Sequence, residues 1–136
     1  MRSHFLGPLL REPENDWSLV HKATGRVLAH RVHTAFDSRS RREGLLKQGT
    51  WPAGSALIIA PCQAVHTIGM RFPIDLVFVN RAGVVVKTRE RVVPWRMAGA
   101  MRAFAVVEIP AGTLASMSLE IGDGIAVHSD GSRPQQ

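Results

Sequence analysis

The run from Pro61 to Asn80, PCQAVHTIGMRFPIDLVFVN, places Cys62, His66, Thr67, Met70, Arg71 and Asp75 on an otherwise apolar segment. A thiol, an imidazole and a carboxylate are the residue types of a thiol hydrolase, in which the imidazole activates sulfur and the carboxylate orients the imidazole. No glycine-flanked nucleophile signature accompanies Cys62, which follows Pro61 at a strand end. Cys62 and His66 offer only two local metal ligands with no second Cys or His cluster, so neither a metal nor a cofactor is expected. His66 fits a general base, a ligand contact or a hydrogen-bonded core histidine.

Asp75 is the most informative residue, because it interrupts the apolar run IDLVFV. A carboxylate inside such a strand is costly unless it is paired or hydrogen-bonded. Alternation places Asp75 with Val77 and Val79, and Ile74, Leu76 and Phe78 on the opposite face. Two readings stay open: Arg71 or nearby backbone groups satisfy Asp75, or Asp75 orients His66 or contacts a ligand. Glu108, in AVVEIP, is a second embedded carboxylate. Asp75 and Glu108 could form an acid/base pair, or each could fix loop backbone or an arginine. Trp95 with Arg96 could form a cation-and-aromatic lip over a pocket, or Trp95 could plug one barrel end. Met70, Met97 and Met101 read as gap-filling core residues. The candidate ligand contacts are therefore His66, Thr67, Arg71, Asp75, Trp95 and Glu108, with no catalytic residue assigned.

The elements that must position these residues are short strands. Trp17 to Lys22 and Arg26 to Thr34 read as a hairpin turning at Ala23-Thr24-Gly25. His30 and His33 fall on opposite faces of the second strand and cannot share a metal. Asp37 or Ser38 can cap a helix reaching about Lys47. Ala56 to Ala60 and Val65 to Ile68 are strands, and Gly69 and Pro73 bend the chain before Ile74 to Val79. Asn80-Arg81-Ala82-Gly83 turns it into Val84 to Glu90, Val92 to Met101 is irregular, and Ala103 to Ile109 is the next strand. Thr113 can cap a short helix through Leu119, and Gly122-Asp123-Gly124 turns into a last strand, Ile125 to His128. Residues 1–16 read as a loosely ordered lead-in, 17–128 as one globular domain and 129–136 as a polar tail. Seven or eight short strands with one or two short helices predict a mainly β, mainly antiparallel, barrel-like or sandwich domain.

The segments GLL (44–46), PCQAVHTIGMRFPIDLVFVN (61–80), GVVV (83–86), VVPWR (92–96), AVVEIPAGT (105–113) and GDGIAV (122–127) resemble the uncharacterised domain-of-unknown-function family 192. The core His-Thr-x-x-Met-Arg-Phe-Pro-Ile-Asp and the motif Glu-x-Pro-Ala-Gly carry the resemblance, which spans about residues 17 to 128. It implies a compact, mostly β fold with a small helical component, and it implies no mechanism.

A chain of 136 residues fits one domain with a sizeable core. No apolar run approaches the roughly 18 residues of a membrane span. The N-terminus lacks the apolar run of a signal peptide, and the single cysteine suits a reducing compartment, so the chain reads as cytoplasmic. The net charge of +6 permits nucleic acid, anionic lipid or an acidic ligand. Basic residues group as Arg31, Arg39, Arg41, Arg42 and Lys47, and as Arg81, Lys87, Arg89, Arg91, Arg96 and Arg102. Only Trp95 is aromatic within the second group, which weakens a nucleic-acid reading that would rest on stacking. The expectation is a binding module whose shallow polar pocket takes a small anionic or peptide-like ligand. The alternatives are a hydrolase-like enzyme using His66 with Cys62 or Asp75, and a nucleic-acid-associated protein acting through the basic clusters.

Overall fold

The computed structural model describes residues 3–35 and 51–129. The proposed helix from Asp37 or Ser38 to Lys47, most of the first basic cluster and the polar tail after Ser129 lie outside them. The described residues form ten strands: β1 (Trp17–His21), β2 (Val27–Ala29), β3 (Arg31–Ala35), β4 (Ser55–Ile59), β5 (Ala64–His66), β6 (Ile74–Val79), β7 (Val85–Val92), β8 (Met97–Gly99), β9 (Ala105–Pro110) and β10 (Ile125–Ser129). Two short helices, α1 (Gly7–Arg11) and α2 (Thr113–Met117), accompany them.

The centre is a five-stranded sheet of order β3-β4-β9-β6-β7, flanked by a three-stranded sheet β10-β1-β2 and a two-stranded ribbon β5-β8. Among the described strands every pair is antiparallel except β3 with β4. The sandwich form of the sequence expectation holds, and the described strands form no closed barrel. β4 and β6 are buried at every position because both faces of the central sheet are covered. Continuous apolar runs such as SALII and IDLVFV are what two covered faces demand.

On one face Ile58, Val77, Val79, Val107 and Ile109 pack with Leu19, Leu28, Ile125 and Leu114. On the other, Leu57, Ile59, Leu76, Phe78 and Val106 pack with Val65 and Ala98 of the β5-β8 ribbon and with Trp51. The protein is thus layered as sheet, sheet and ribbon.

Two features account for the strands beyond the eight expected. The run from Arg26 to Thr34 is broken at His30, where the N–H groups of His30 and Arg31 both donate to the Gly54 carbonyl, at 2.8 and 3.1 Å. The break sends β2 to one sheet and β3 to another. The segment expected to be irregular contains β8, whose three residues pair with β5. The lead-in carries α1, with Leu6 and Leu9 buried and the Phe5 N–H donating to the Arg81 carbonyl at 2.8 Å. Pro8 falls in the first turn of α1, where its missing N–H costs nothing. Thr113 does not cap α2: Gly112 holds the N-cap position with φ of 96°, and the Thr113 hydroxyl donates to the Pro110 carbonyl at 2.7 Å.

Candidate functional site

The sequence candidates do not gather in one place. Asp75 is fully buried, and its carboxylate is taken up by backbone. Oδ1 accepts the Arg91 N–H at 2.8 Å. Oδ2 accepts the Gly112 N–H at 3.1 Å and the Leu114 N–H at 2.9 Å. The side chain therefore ties a bulge in β7 to the first turn of α2 and supplies the cap that Thr113 does not. The reading in which backbone satisfies Asp75 is the observed one.

Register separates Asp75 from its proposed partners. Asp75 lies opposite Ile109, and Leu76 lies opposite Glu108, so the two carboxylates occupy opposite faces of the central sheet. An acid/base pair between them is excluded, although Glu108, like Asp75, is fully buried. The β5-β8 ribbon that carries His66 covers the Glu108 face, while Asp75 points to the α2 side. Asp75 therefore cannot orient His66, and the hydrolase arrangement built on those two fails geometrically.

Thr67 is buried and acts on the loop that follows β7. Its hydroxyl donates to the Val93 carbonyl at 2.8 Å and accepts the Arg96 N–H at 2.9 Å. The Trp95 N–H donates to the Thr67 carbonyl at 3.2 Å, with Trp95 at φ of 65°. Thr67 and Trp95 are thus neighbours, but Trp95 is 68% exposed and plugs nothing. His66 is exposed on the ribbon, opposite Met97, and its Nδ1 accepts the Ile68 N–H at 3.3 Å. Arg71 is exposed in the turn before β6. Met70 is core as expected, whereas Met97 and Met101 are 76% and 92% exposed, because both lie on the outward side of the ribbon or past its end.

A concavity forms elsewhere, where three segments meet at one end of the central sheet. The end of β6 lies beside the start of β9, with Val79 opposite Ala105. The Phe104 N–H donates to the Val79 carbonyl at 2.8 Å, and the Cys62 N–H donates to the Phe104 carbonyl at 2.9 Å. The turns 80–82 and 102–104 and the segment 61–63 therefore wall a cleft of about 710 Å³, lined by Pro61, Cys62, Gln63, Asn80, Arg81, Ala82, Arg102, Ala103 and Phe104. Among the described residues, two guanidinium groups line it and no carboxylate does. Asn80 Oδ1 accepts the Ala82 and Val84 N–H groups, both at 3.0 Å, which fixes the turn carrying Arg81. The Gln63 amide donates to the Met101 carbonyl and holds the turn carrying Arg102. The Arg81 guanidinium stacks 4.6 Å from the Phe104 ring centre, and the His4 ring lies 4.9 Å from the same ring.

A second cavity of about 250 Å³ shares Pro61, Arg81 and Phe104 with the first and is lined mainly by apolar residues, among them Leu6, Leu10, Ala35, Ile58 and Ala60. A cationic cleft and an apolar recess thus meet at Arg81 and Phe104. Sequence reasoning counted Arg81 and Arg102 only as members of a basic cluster. The signal that they share a site is the β7-β6-β9 strand order, which brings two turns 20 residues apart to one sheet end. Among the described residues, no group of three His, Cys, Asp or Glu side chains could hold a metal ion.

Fold and cleft together define a small β-sandwich with an arginine-lined concavity. The chain belongs to the family DUF192, described as Uncharacterized ACR, whose model matches residues 19–127. No curated protein matches the sequence. A protein of unknown function from Novosphingobium aromaticivorans has a similar fold, with a TM-score of 0.63 and 19% identity over 81% of this chain and 82% of that one. A Sinorhizobium meliloti protein designated a candidate transcription regulator is also similar, with a TM-score of 0.64 and 18% identity over 83% of this chain and 92% of that one. At these identities the likeness is one of fold. Among the described residues, no helix is long and apolar enough to cross a membrane.

Proposed function

We propose that the chain is a binding module for a small organic anion bearing an apolar group. The anionic head would sit between Arg81 and Arg102, and the apolar part would enter the recess beside Phe104. The observation that carries this reading is the meeting of two arginines, with no carboxylate among the described lining residues, and an apolar cavity that shares Arg81 and Phe104. Guanidinium groups recognise carboxylate and phosphate through paired, charge-assisted hydrogen bonds. Ligand sites commonly combine apolar walls with a few convergent polar groups. A peptide C-terminus with an apolar last residue has the same chemistry. The sequence expectation of a small anionic or peptide-like ligand is kept, with the site moved from the His66–Asp75 region to the end of the central sheet. In this reading the chain works in the cytoplasm, where its single cysteine stays reduced.

Isothermal titration with octanoate tests the proposal, with octanol as the uncharged control. Saturable binding of octanoate, weakened at least tenfold in Arg81→Gln and in Arg102→Gln, is expected. Equal binding of octanol, or octanoate affinity unchanged in both variants, overturns it.

A further inference from the structure

The outward face of the β5-β8 ribbon has a composition that the cleft does not explain. The register pairs Ala64 with Gly99, Val65 with Ala98 and His66 with Met97. Two more hydrogen bonds extend it, from the Thr67 N–H to the Arg96 carbonyl at 2.8 Å and from the Ala100 N–H to the Gln63 carbonyl at 2.9 Å. Val65, Thr67 and Ala98 point inward and are buried. Alternation therefore turns Ala64, His66 and Met97 outward, while Ile68, Trp95 and Met101 stand exposed in the loops at the ribbon's ends.

These residues are exposed and large. Ile68 is 49% exposed, Trp95 68%, Met97 76% and Met101 92%, and Val93 beside them is 44% exposed. Five of the eight exposed large apolar side chains among the described residues thus fall on one ribbon and its loops, so the patch is not random scatter. The ribbon is also one-signed. Stretches 61–74 and 92–107 contain Arg71, Arg96 and Arg102, all exposed, with no Asp or Glu.

We infer that this face docks on an anionic lipid surface. A second copy of the chain would set arginines against arginines. A groove ligand needs walls, whereas Trp95, Met97 and Met101 protrude. A flat anionic interface suits both properties at once: arginines meet lipid phosphates, and Trp, Met and Ile side chains enter the boundary between headgroups and acyl chains. Tryptophan favours that depth. The ribbon presents these side chains on a fixed frame, because the Thr67 hydroxyl and carbonyl hold the Trp95-Arg96 backbone. Each arginine near an anionic leaflet strengthens binding by roughly fivefold at low salt.

Co-sedimentation with vesicles of phosphatidylcholine and phosphatidylglycerol at 3:1, against phosphatidylcholine alone, tests the inference. Trp17 and Trp51 are buried, so a blue shift of tryptophan emission on binding reports Trp95. Expected are binding only to the anionic vesicles, its loss in high salt, and at least tenfold weakening in Trp95→Ser and in an Arg71→Gln/Arg96→Gln double variant. Ile121→Ser, which removes an exposed apolar side chain elsewhere, should bind as the parent does. Thermal melting of each variant separates lost binding from lost folding. No binding to anionic vesicles at low salt overturns the inference, as does binding that Trp95→Ser leaves unchanged. Binding to polyglutamate without binding to vesicles also overturns it, in favour of an acidic protein partner.

Discussion

Replacing Asp75 by alanine removes the acceptor of three N–H groups at once, those of Arg91, Gly112 and Leu114. A hydrogen bond to a charged group contributes roughly 1.5–3 kcal/mol, and a buried donor left without a partner costs roughly 1–3 kcal/mol. The Leu114 bond is buried, whereas the other two are part-buried, so water can recover some of their loss. The expected cost of Asp75→Ala is therefore about 3–5 kcal/mol. That is a large share of the ~5–15 kcal/mol available to a typical domain. Asp75→Asn keeps one oxygen for Gly112 and Leu114 but turns an NH2 group toward the Arg91 N–H, and about 2 kcal/mol is expected. Denaturant unfolding followed by circular dichroism gives both values. Amide exchange should locate the change, with protection falling first at Gly112, Leu114 and Arg91. A loss under about 1 kcal/mol in Asp75→Ala, with an unchanged denaturant slope, would refute the assignment of this carboxylate to backbone.

Thr67→Val leaves the Arg96 N–H without its hydroxyl partner and should cost about 1–3 kcal/mol in the same assay, with faster exchange at the Arg96 amide. Gly83→Ala places a Cβ against the Ile125 carbonyl at a position with φ of 82°, so the turn carrying Arg81 must shift. It should lower the melting temperature and weaken octanoate binding together, whereas Gly25→Ala, with open space around it, should leave octanoate affinity unchanged.

Much of the fold was legible because apolar runs of five or six residues bounded by Gly, Pro or Asn leave little choice; Ile74 to Val79 is the clearest case. The split at His30 was not legible, since it depends on the Gly54 carbonyl, 24 residues away in sequence. β8 was missed because Pro94, Trp95 and Gly99 hide a three-residue strand whose partner is the equally short β5. The special status of Asp75 could be read from the cost of a carboxylate in an apolar strand. Its partners could not, because they are backbone groups on β7 and at the start of α2. Arg81 and Arg102 were visible only as charge, since their convergence is a consequence of strand order. Met97 and Met101 misled, because hydrophobic type says nothing about which side of a two-stranded ribbon is covered.

The anion cleft is tested most directly by a ¹⁵N–¹H titration with octanoate, followed residue by residue. Saturable shifts confined to residues 61–63, 80–82 and 102–104 and to the recess around Leu6 and Ile58, abolished in Arg81→Gln, are the predicted result. Shifts spread evenly over the surface arginines, or centred on His66 and Trp95 with the cleft silent, would contradict it.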